Sequence, residues 1–371
     1  MRRRPDVVST VRRVVALVSE HQKTLERDRQ RSGADKMRPV LAPPTPVRIP
    51  PSEAPTFSVV IPAYQAAGFI ADAIESVLAQ TSPPMELIIC DDGSTDDLEG
   101  SLAPYQDSIT LLRKENGGEA SAKNMGARAA SGEFVAILDA DDVYFPARLE
   151  ALTELSVRRP DLDILTADCL VIAGGRVIRR CYHGGYRFEV DDQRRGILER
   201  NFVGPGHMAV RRVALLAVGG FDEAFRWATD WDCWIRMIFA GSRVGMVNEP
   251  LAEYRVRATS LASNRLRQFE GYVAVLEKAA ARSDLSTDER AVLQGSLGVQ
   301  RRRLLLHKAE DAIAEAKPKA RRLALEVARD SSFPFRVRAK AALSAALPRI
   351  VNRRLARGRR ELAGGVRVSN S

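Results

Sequence analysis

Hydrophobic positions are distributed unevenly along the chain. FSVVIP (57–62), MELIICDD (85–92), SITLLRK (108–114) and EFVAILD (133–139) are short apolar runs rich in branched residues, which predicts buried strands. Between them the spacing changes to a helical one: Ile70, Ile74, Val77 and Leu78 mark a helix within 67–80, and 118–131 reads as a second. Strands alternating with helices predict a mostly parallel sheet with helices on both faces. Further along, 163–180 reads as two strands around a turn at Gly174-Gly175, with helices at 211–217 and 230–240 and late strands at RVGMV (243–247) and LAEYRV (251–256). After residue 264 the pattern is helical only, interrupted at Pro318, Pro334 and Pro348.

The N-terminal pattern differs. Val7, Val8, Val11, Val14, Val15 and Val18 have near-helical spacing within an Arg-rich stretch, and seven prolines between Pro39 and Pro55 make an extended linker. The expected organisation is a basic helical segment (1–38), a Pro-rich linker (39–55), an α/β domain (56–264) and a basic helical C-terminal extension (265–371). No run of signal-peptide or membrane-spanning length is present, so the expected setting is cytoplasmic.

Charge sharpens this division. The chain carries a formal net charge of +10, but residues 57–264 hold 30 acidic side chains against 21 basic ones, so the excess of positive charge belongs to the flanks. An acidic centre argues against a nucleic-acid groove and favours bound cations. The basic flanks, including 336–360, could meet an anionic membrane surface, placing the protein peripherally on its inner face. The four cysteines form no CxxC pair and only four histidines are present, so a Cys/His zinc site is not expected.

Three acidic constellations carry candidate chemistry. CDDGSTDD (90–97) follows a buried strand, where open α/β sheets bind ligands, and its Asp91 and Asp92 could accept hydrogen bonds from a nucleobase or ribose. LDADD (138–142) also ends an apolar strand. Asp139, Asp141 and Asp142 repel one another unless a cation offsets them, and Mg²⁺ or Mn²⁺ takes one or two carboxylates together with substrate phosphates. In TDWDCWIRM (229–237), Asp230 and Asp232 lie at a helix start, where they could act as caps or where one could serve as a general base.

Together with VVIPAYQAAGFIADAIESVLAQT (59–81), ENGGEASAKNMGARAASGEFVAILDADD (115–142), GGFDE (219–223) and YRVRATS (254–260), these segments resemble, in order, the family 2 glycosyltransferases. The resemblance implies the GT-A fold, a Rossmann-like α/β architecture, and inverting transfer of a sugar from a nucleotide-sugar donor to a hydroxyl of a saccharide or lipid-linked acceptor. It implies that Pro62, Ala63, Tyr64, Asp91, Asp92, Asn116, Gly118, Lys123, Asn124 and Arg255 bind donor. Asp139 and Asp141 would hold a divalent metal, Mn²⁺ or Mg²⁺, on the diphosphate, with Asp139 also counted among the donor contacts. Asp230 would be the catalytic base, with Trp231, Asp232 and His207 in the acceptor region. The pattern departs at Arg257, where the family often has His, at Gln65 in place of Asn, and at Lys123 in place of Arg. A nucleotidyltransferase is the first rival, but the loop PAYQAAGF lacks the basic residue that chemistry needs. A non-catalytic nucleotide-sugar or membrane scaffold is the second.

Overall fold

A computed structural model describes residues 54–182, 188–189, 191–204, 207–257 and 264–346. The N-terminal segment, all but the end of the Pro-rich linker, the close of YRVRATS and the last part of the basic tail lie outside the described residues.

Among the described residues one nine-stranded sheet forms, with order β3-β2-β1-β4-β8-β6-β9-β5 and β7 attached to β6. Its first half is the parallel sheet expected from the apolar runs: β1 (Phe57–Ala63), β2 (Glu86–Asp91), β3 (Thr110–Arg113) and β4 (Phe134–Ile137). Their ladder places the carboxyl ends of β1, β2 and β4 along one rim.

The second half is mixed. β8 (Ala209–Arg211) runs antiparallel to both β4 and β6 (Ile164–Ala173). The strand β7 (Arg176–Arg180) returns on β6, and β5 (Val143–Tyr144) pairs antiparallel with β9 (Val244–Val256). The two late strands expected from the sequence are one long strand, β9. Between Ala167↔Val247 and Asp168↔Pro250 its register against β6 shifts, so a bulge absorbs Pro250, which cannot donate to a ladder.

Helices close both faces. On one side α1 (Ile70–Leu78) buries Ile70, Ala73, Ile74 and Val77, the i, i+3, i+4, i+7 face of a helix. Each of its buried Ile and Val side chains contributes about 1.5–3 kcal/mol by leaving water. On that side too, α4 (Arg148–Arg158) packs Leu149 and Leu152 into the same core, and a short helix, α2 (Leu98–Leu102), follows β2. Opposite, α3 (Glu119–Ala129) lies so close to β1 and β2 that a Cβ on Gly126 would collide with Val60 and come within 2.9 Å of the Cys90 sulfur. The remaining helices of this region are α5 (Gln193–Glu199), α6 (Arg212–Ala217) and α7 (Thr229–Phe239). All four cysteines are free and buried.

The C-terminal helices are α8 (Arg265–Ala280), α9 (Thr287–Ala314), α10 (Ala320–Arg329) and α11 (Phe335–Ala346). A capping box starts α9: Ser286 Oγ accepts from Glu289 N at 3.1 Å while Glu289 accepts from Ser286 N at 2.8 Å. Val275, Leu276, Leu293 and Leu297 share a core with Ile197, Phe202, Trp231 and Trp234. The line drawn at 264/265 therefore separates element types in sequence but does not divide this core. The far half of α9 packs with α10 and α11 around Ala312, Leu323, Ala324 and Val327 in a cluster of their own. Among the described residues no helix is long and apolar enough to cross a membrane.

Candidate active site

The loops at the carboxyl ends of β1, β2 and β4 open into one cleft of about 1620 Å³, which Asp92, Asp139, Asp141 and Asp230 all line. This is the crevice position in which open α/β sheets bind ligands.

Asp91 and Asp92 are adjacent in the chain and have opposite surroundings, because successive strand residues face opposite ways. Asp91 is fully buried; it accepts from Ser94 N at 2.8 Å and pairs with Arg113 Nε at 2.8 Å, and it does not line the cleft. Asp92 lines the cleft and accepts from Gly117 N at 2.9 Å, Gly118 N at 2.7 Å and Lys114 Nζ at 2.8 Å. A carboxylate has about four acceptor sites, so Asp92 is fixed in place with capacity for one more donor. Gly93 makes the turn after it: its φ is +77°, and a Cβ there would lie 2.8 Å from Asn116 N.

Pro62, Ala63, Tyr64, Asn116 and Gly118 line the same end of the cleft. Tyr64 is 53% exposed and lines the cleft, where its ring is available to a stacking partner. Asn124 lies elsewhere: its amide donates to the Phe221 carbonyl and Glu223 at 2.8 Å and accepts from Phe221 N at 2.8 Å, tying α3 to the loop before α7.

Lys123 is buried between Glu119 and Asp139, whose Oδ1 is 3.4 Å away. Burial raises the Asp139 carboxyl to about 7 against the opposing pull of Lys123, with Glu119 and Asp142 adding repulsion. Asp141 faces the cleft with Arg257 at 4.0 Å, and that guanidinium lies 4.1 Å over the Phe69 ring. Among the described residues no group of three or more His, Cys, Asp or Glu is arranged to cage a metal. Two half-buried carboxylates facing a cleft fit an ion of the Mg²⁺ or Mn²⁺ type, which completes its shell with water and phosphate oxygens.

Asp142, the third acid of the loop, turns inward. It accepts from Arg255 N at 2.7 Å and lies 2.6 Å from His207 Nε2. Burial pushes its carboxyl well up and, helped by the cationic Arg148, pushes the His207 imidazole down to about 3. The two form a buried hydrogen-bonded pair beneath the loop. His207 is therefore a support of that loop and does not line the cleft. Arg255 does line it, with its guanidinium held by Asp72 at 2.6 Å and Glu253 at 3.0 Å.

Across the cleft, Asp230 occupies the first turn of α7, preceded by Ala228 in the left-handed region (φ +59°). It accepts from Asn201 Nδ2 at 2.8 Å, and burial raises its carboxyl above the ordinary range while Lys123 and the Asn201 bond oppose the rise. Trp231 lines the cleft with a buried indole that donates to the Ile197 carbonyl at 2.7 Å and packs edge-on to Tyr272 at 5.3 Å. Asp232 faces away, bound to Arg236 at 2.8 Å and Lys278 at 2.7 Å, so it joins α7 to α8. Sequence reasoning did not single out Asn201, Tyr272 or the arginines of this wall. They carry no motif, and only the packing of α5, α8 and α9 brings them to the cleft.

A parallel half-sheet with acidic loops at its carboxyl rim, joined to a mixed half that bears the opposing acid, is a GT-A-like architecture. Two solved structures share the fold: S. aureus TarS, solved with UDP-GlcNAc (TM-score 0.56, 18% identity, 85% of this chain and 93% of that one), and a Pyrobaculum calidifontis mannosyltransferase solved with GDP-Man and Mn²⁺ (TM-score 0.55, 21% identity, 92% and 94%). The profile of glycosyl transferase family 2 matches residues 58–219. An uncharacterized glycosyltransferase of Rickettsia prowazekii is 30% identical over 226 residues, covering 59% of this chain and 69% of that protein. The putative teichuronic acid biosynthesis glycosyltransferase TuaG of Bacillus subtilis is 30% identical over 215 residues, covering 57% and 83%. The chain belongs to the family 2 glycosyltransferases.

Proposed function

We propose that this glycosyltransferase moves a sugar, with inversion, from a nucleotide-diphosphate donor, UDP-linked in the first instance, to a hydroxyl of a saccharide or lipid-linked acceptor in cell-surface polysaccharide synthesis. The observation that carries the reading is that Asp92, Asp139, Asp141 and Asp230 line one cleft rather than separate ones. The donor-bound TarS structure and the teichuronic acid relative support the donor class and the setting.

In this reading Asp92 takes the remaining donor hydrogen bond from the nucleobase or ribose, with Tyr64 against the base. Asp139 and Asp141 hold a divalent metal, which when bound offsets the charge of the leaving diphosphate as a Lewis acid. The Mn²⁺-containing mannosyltransferase supports that requirement. Lys123 adds a fixed positive charge beside Asp139, and Arg255 and Arg257 stand near the same loop. Asp230, oriented by Asn201, accepts the proton of the attacking acceptor hydroxyl. Its burial makes it a stronger base than a solvated carboxylate. The acceptor oxygen then bonds to the anomeric carbon as the carbon–oxygen bond to the diphosphate breaks. The domain is read as residues 56–264 completed by the C-terminal helices. The basic tails are read as contacts to an anionic membrane surface on its cytoplasmic face, supported by the charge of the flanks.

The test is Asp230→Asn, which preserves shape and the Asn201 side of the site. Transfer should fall by about 10²–10⁴-fold, with UDP-sugar affinity in the presence of Mn²⁺ unchanged by calorimetry. Near-normal turnover would remove Asp230 from the role of base.

A further inference from the structure

Past Asp230 the cleft continues, and its character changes. Here the walls come from α5 with the loop after it, from the loop before α7, and from one stripe of α9. Val292, Ser296, Val299, Gln300 and Arg303 recur at three- and four-residue spacing and so face the cleft together. Gly295 widens it: a Cβ there would meet nothing within 4 Å.

This end is basic. Arg195, Arg200, Arg226 and Arg303 line it, against Glu199 and Asp230. Arg200 is engaged with Glu199 at 3.2 Å. The exposed guanidiniums of Arg195, Arg226 and Arg303 have no ion-pair or hydrogen-bond partner among the described residues. At the donor end the cations behave differently: Lys123, Arg255 and Lys114 are each tied to carboxylates. Unpaired arginines at one surface position are ordinary. Three that line one cleft from separate elements present several planar forks suited to an oxyanion.

A second observation comes from Gln300. It is only 8% exposed, lines the same stretch, and its Oε1 has no hydrogen-bond partner among the described residues. A buried amide oxygen left without a partner is unfavourable, and a ligand hydroxyl would offset that loss. Trp227 and Tyr272 supply ring surface beside it. The combination is an anion clamp next to a hydroxyl acceptor and aromatic rings.

We propose that this end of the cleft is a subsite for an acceptor glycan that carries an oxyanion, a phosphodiester or a carboxylate, one or more units from the accepting hydroxyl. Arg195, Arg226 and Arg303 bind the oxyanion and Gln300 accepts from a sugar hydroxyl. This rests on the glycosyltransferase reading above and specifies its acceptor as anionic.

Calorimetry on the full chain saturated with UDP and Mn²⁺ tests it with three probes of matched length: a glycerol-phosphate hexamer, a glucuronate hexamer and neutral maltohexaose. At least one anionic hexamer should bind about tenfold or more tighter than maltohexaose, with the advantage shrinking as salt rises. Whichever anion is preferred identifies the source of the charge. An Arg226→Ala/Arg303→Ala double variant should lose that advantage while keeping its UDP affinity and Tm, since both side chains are exposed. Gln300→Leu should weaken the preferred hexamer without changing its salt dependence. Equal binding of all three probes, or an anionic preference that survives the double variant, would overturn the subsite. If the wild-type chain fails to bind UDP, the donor reading fails instead, and the anionic preference is then measured without nucleotide.

Discussion

The two ends of the cleft use charge in opposite ways. At the proposed donor end nearly every ionic group is already spoken for: Asp92 by two backbone amides and Lys114, Lys123 by Glu119 and Asp139, Arg255 by Asp72 and Glu253. At the acceptor end Arg195, Arg226 and Arg303 extend into the cleft without partners. A preorganised network costs nothing further when its ligand arrives, which suits a chemically constant donor. Unpaired, exposed cations trade that precision for tolerance, which would suit a polymer that must be gripped at successive positions and released. The difference also predicts where substitutions harm the fold and where they harm only binding.

The largest expected effect lies at the junction of the two ends. As the proposed base, Asp230 would work deprotonated, and burial raises its pKa, so the turnover rate should fall tenfold per pH unit on the acid side, with an apparent pKa above the ordinary carboxylate value of 3.8. The sign for stability is the reverse: above that ordinary value the buried charge is a load on the fold. Asp230→Asn at neutral pH should therefore keep or raise Tm while losing activity. A loss of Tm matching the loss of rate would make Asp230 a structural acid.

Next comes Gly126→Val, which forces new methyl groups against Val60 and Cys90 between α3 and the parallel strands. Overpacking of that kind costs about 1–3 kcal/mol or more, and denaturant unfolding should show it together with weakened donor binding. Asp92→Ala is expected to do both as well, because Gly117 N and Gly118 N lose their acceptor, at about 1–3 kcal/mol. If Asp92→Ala lowered UDP affinity with no change in stability, the donor end would be less preorganised than described. Ser286→Ala is the smallest effect, about 1 kcal/mol from loss of the α9 cap, visible in Tm with donor affinity untouched.

The same asymmetry explains what could be read from the sequence. The donor end is built from local features: continuous apolar runs for β1, β2 and β4, each followed within a few residues by the acid or glycine that uses the strand end. Those features pointed to Asp91, Asp92, Asp139 and Asp141 on one rim. They could not tell Asp91 from Asp92, since which of two consecutive carboxylates faces inward depends on strand register and on Arg113, a partner 22 residues away. Nor could they show that Asn124, Asp232 and His207 hold loops and helices together instead of lining the cleft, because their partners come from other elements. The strand β8 has three residues, too few to show a period, and α5 has seven. The helix α4 carries a helical spacing in Leu149, Leu152 and Leu155. The late strands expected at 243–247 and 251–256 run on as one because the bulge between β6 and β9 accommodates Pro250. The acceptor wall, drawn from positions 195 to 303, had no contiguous signature at all.

One consequence follows from α9. A single helix puts Leu293 and Leu297 into the central core and Ser296, Gln300 and Arg303 onto the cleft. Recognition and folding thus share one rod, a turn apart. Exchanging the tail of this chain for that of a relative would not graft a new preference onto an unchanged catalyst. It would also have to refit the apolar surface around Ile197, Phe202 and Trp231, so altering this wall of the cleft is bound to a change of interior.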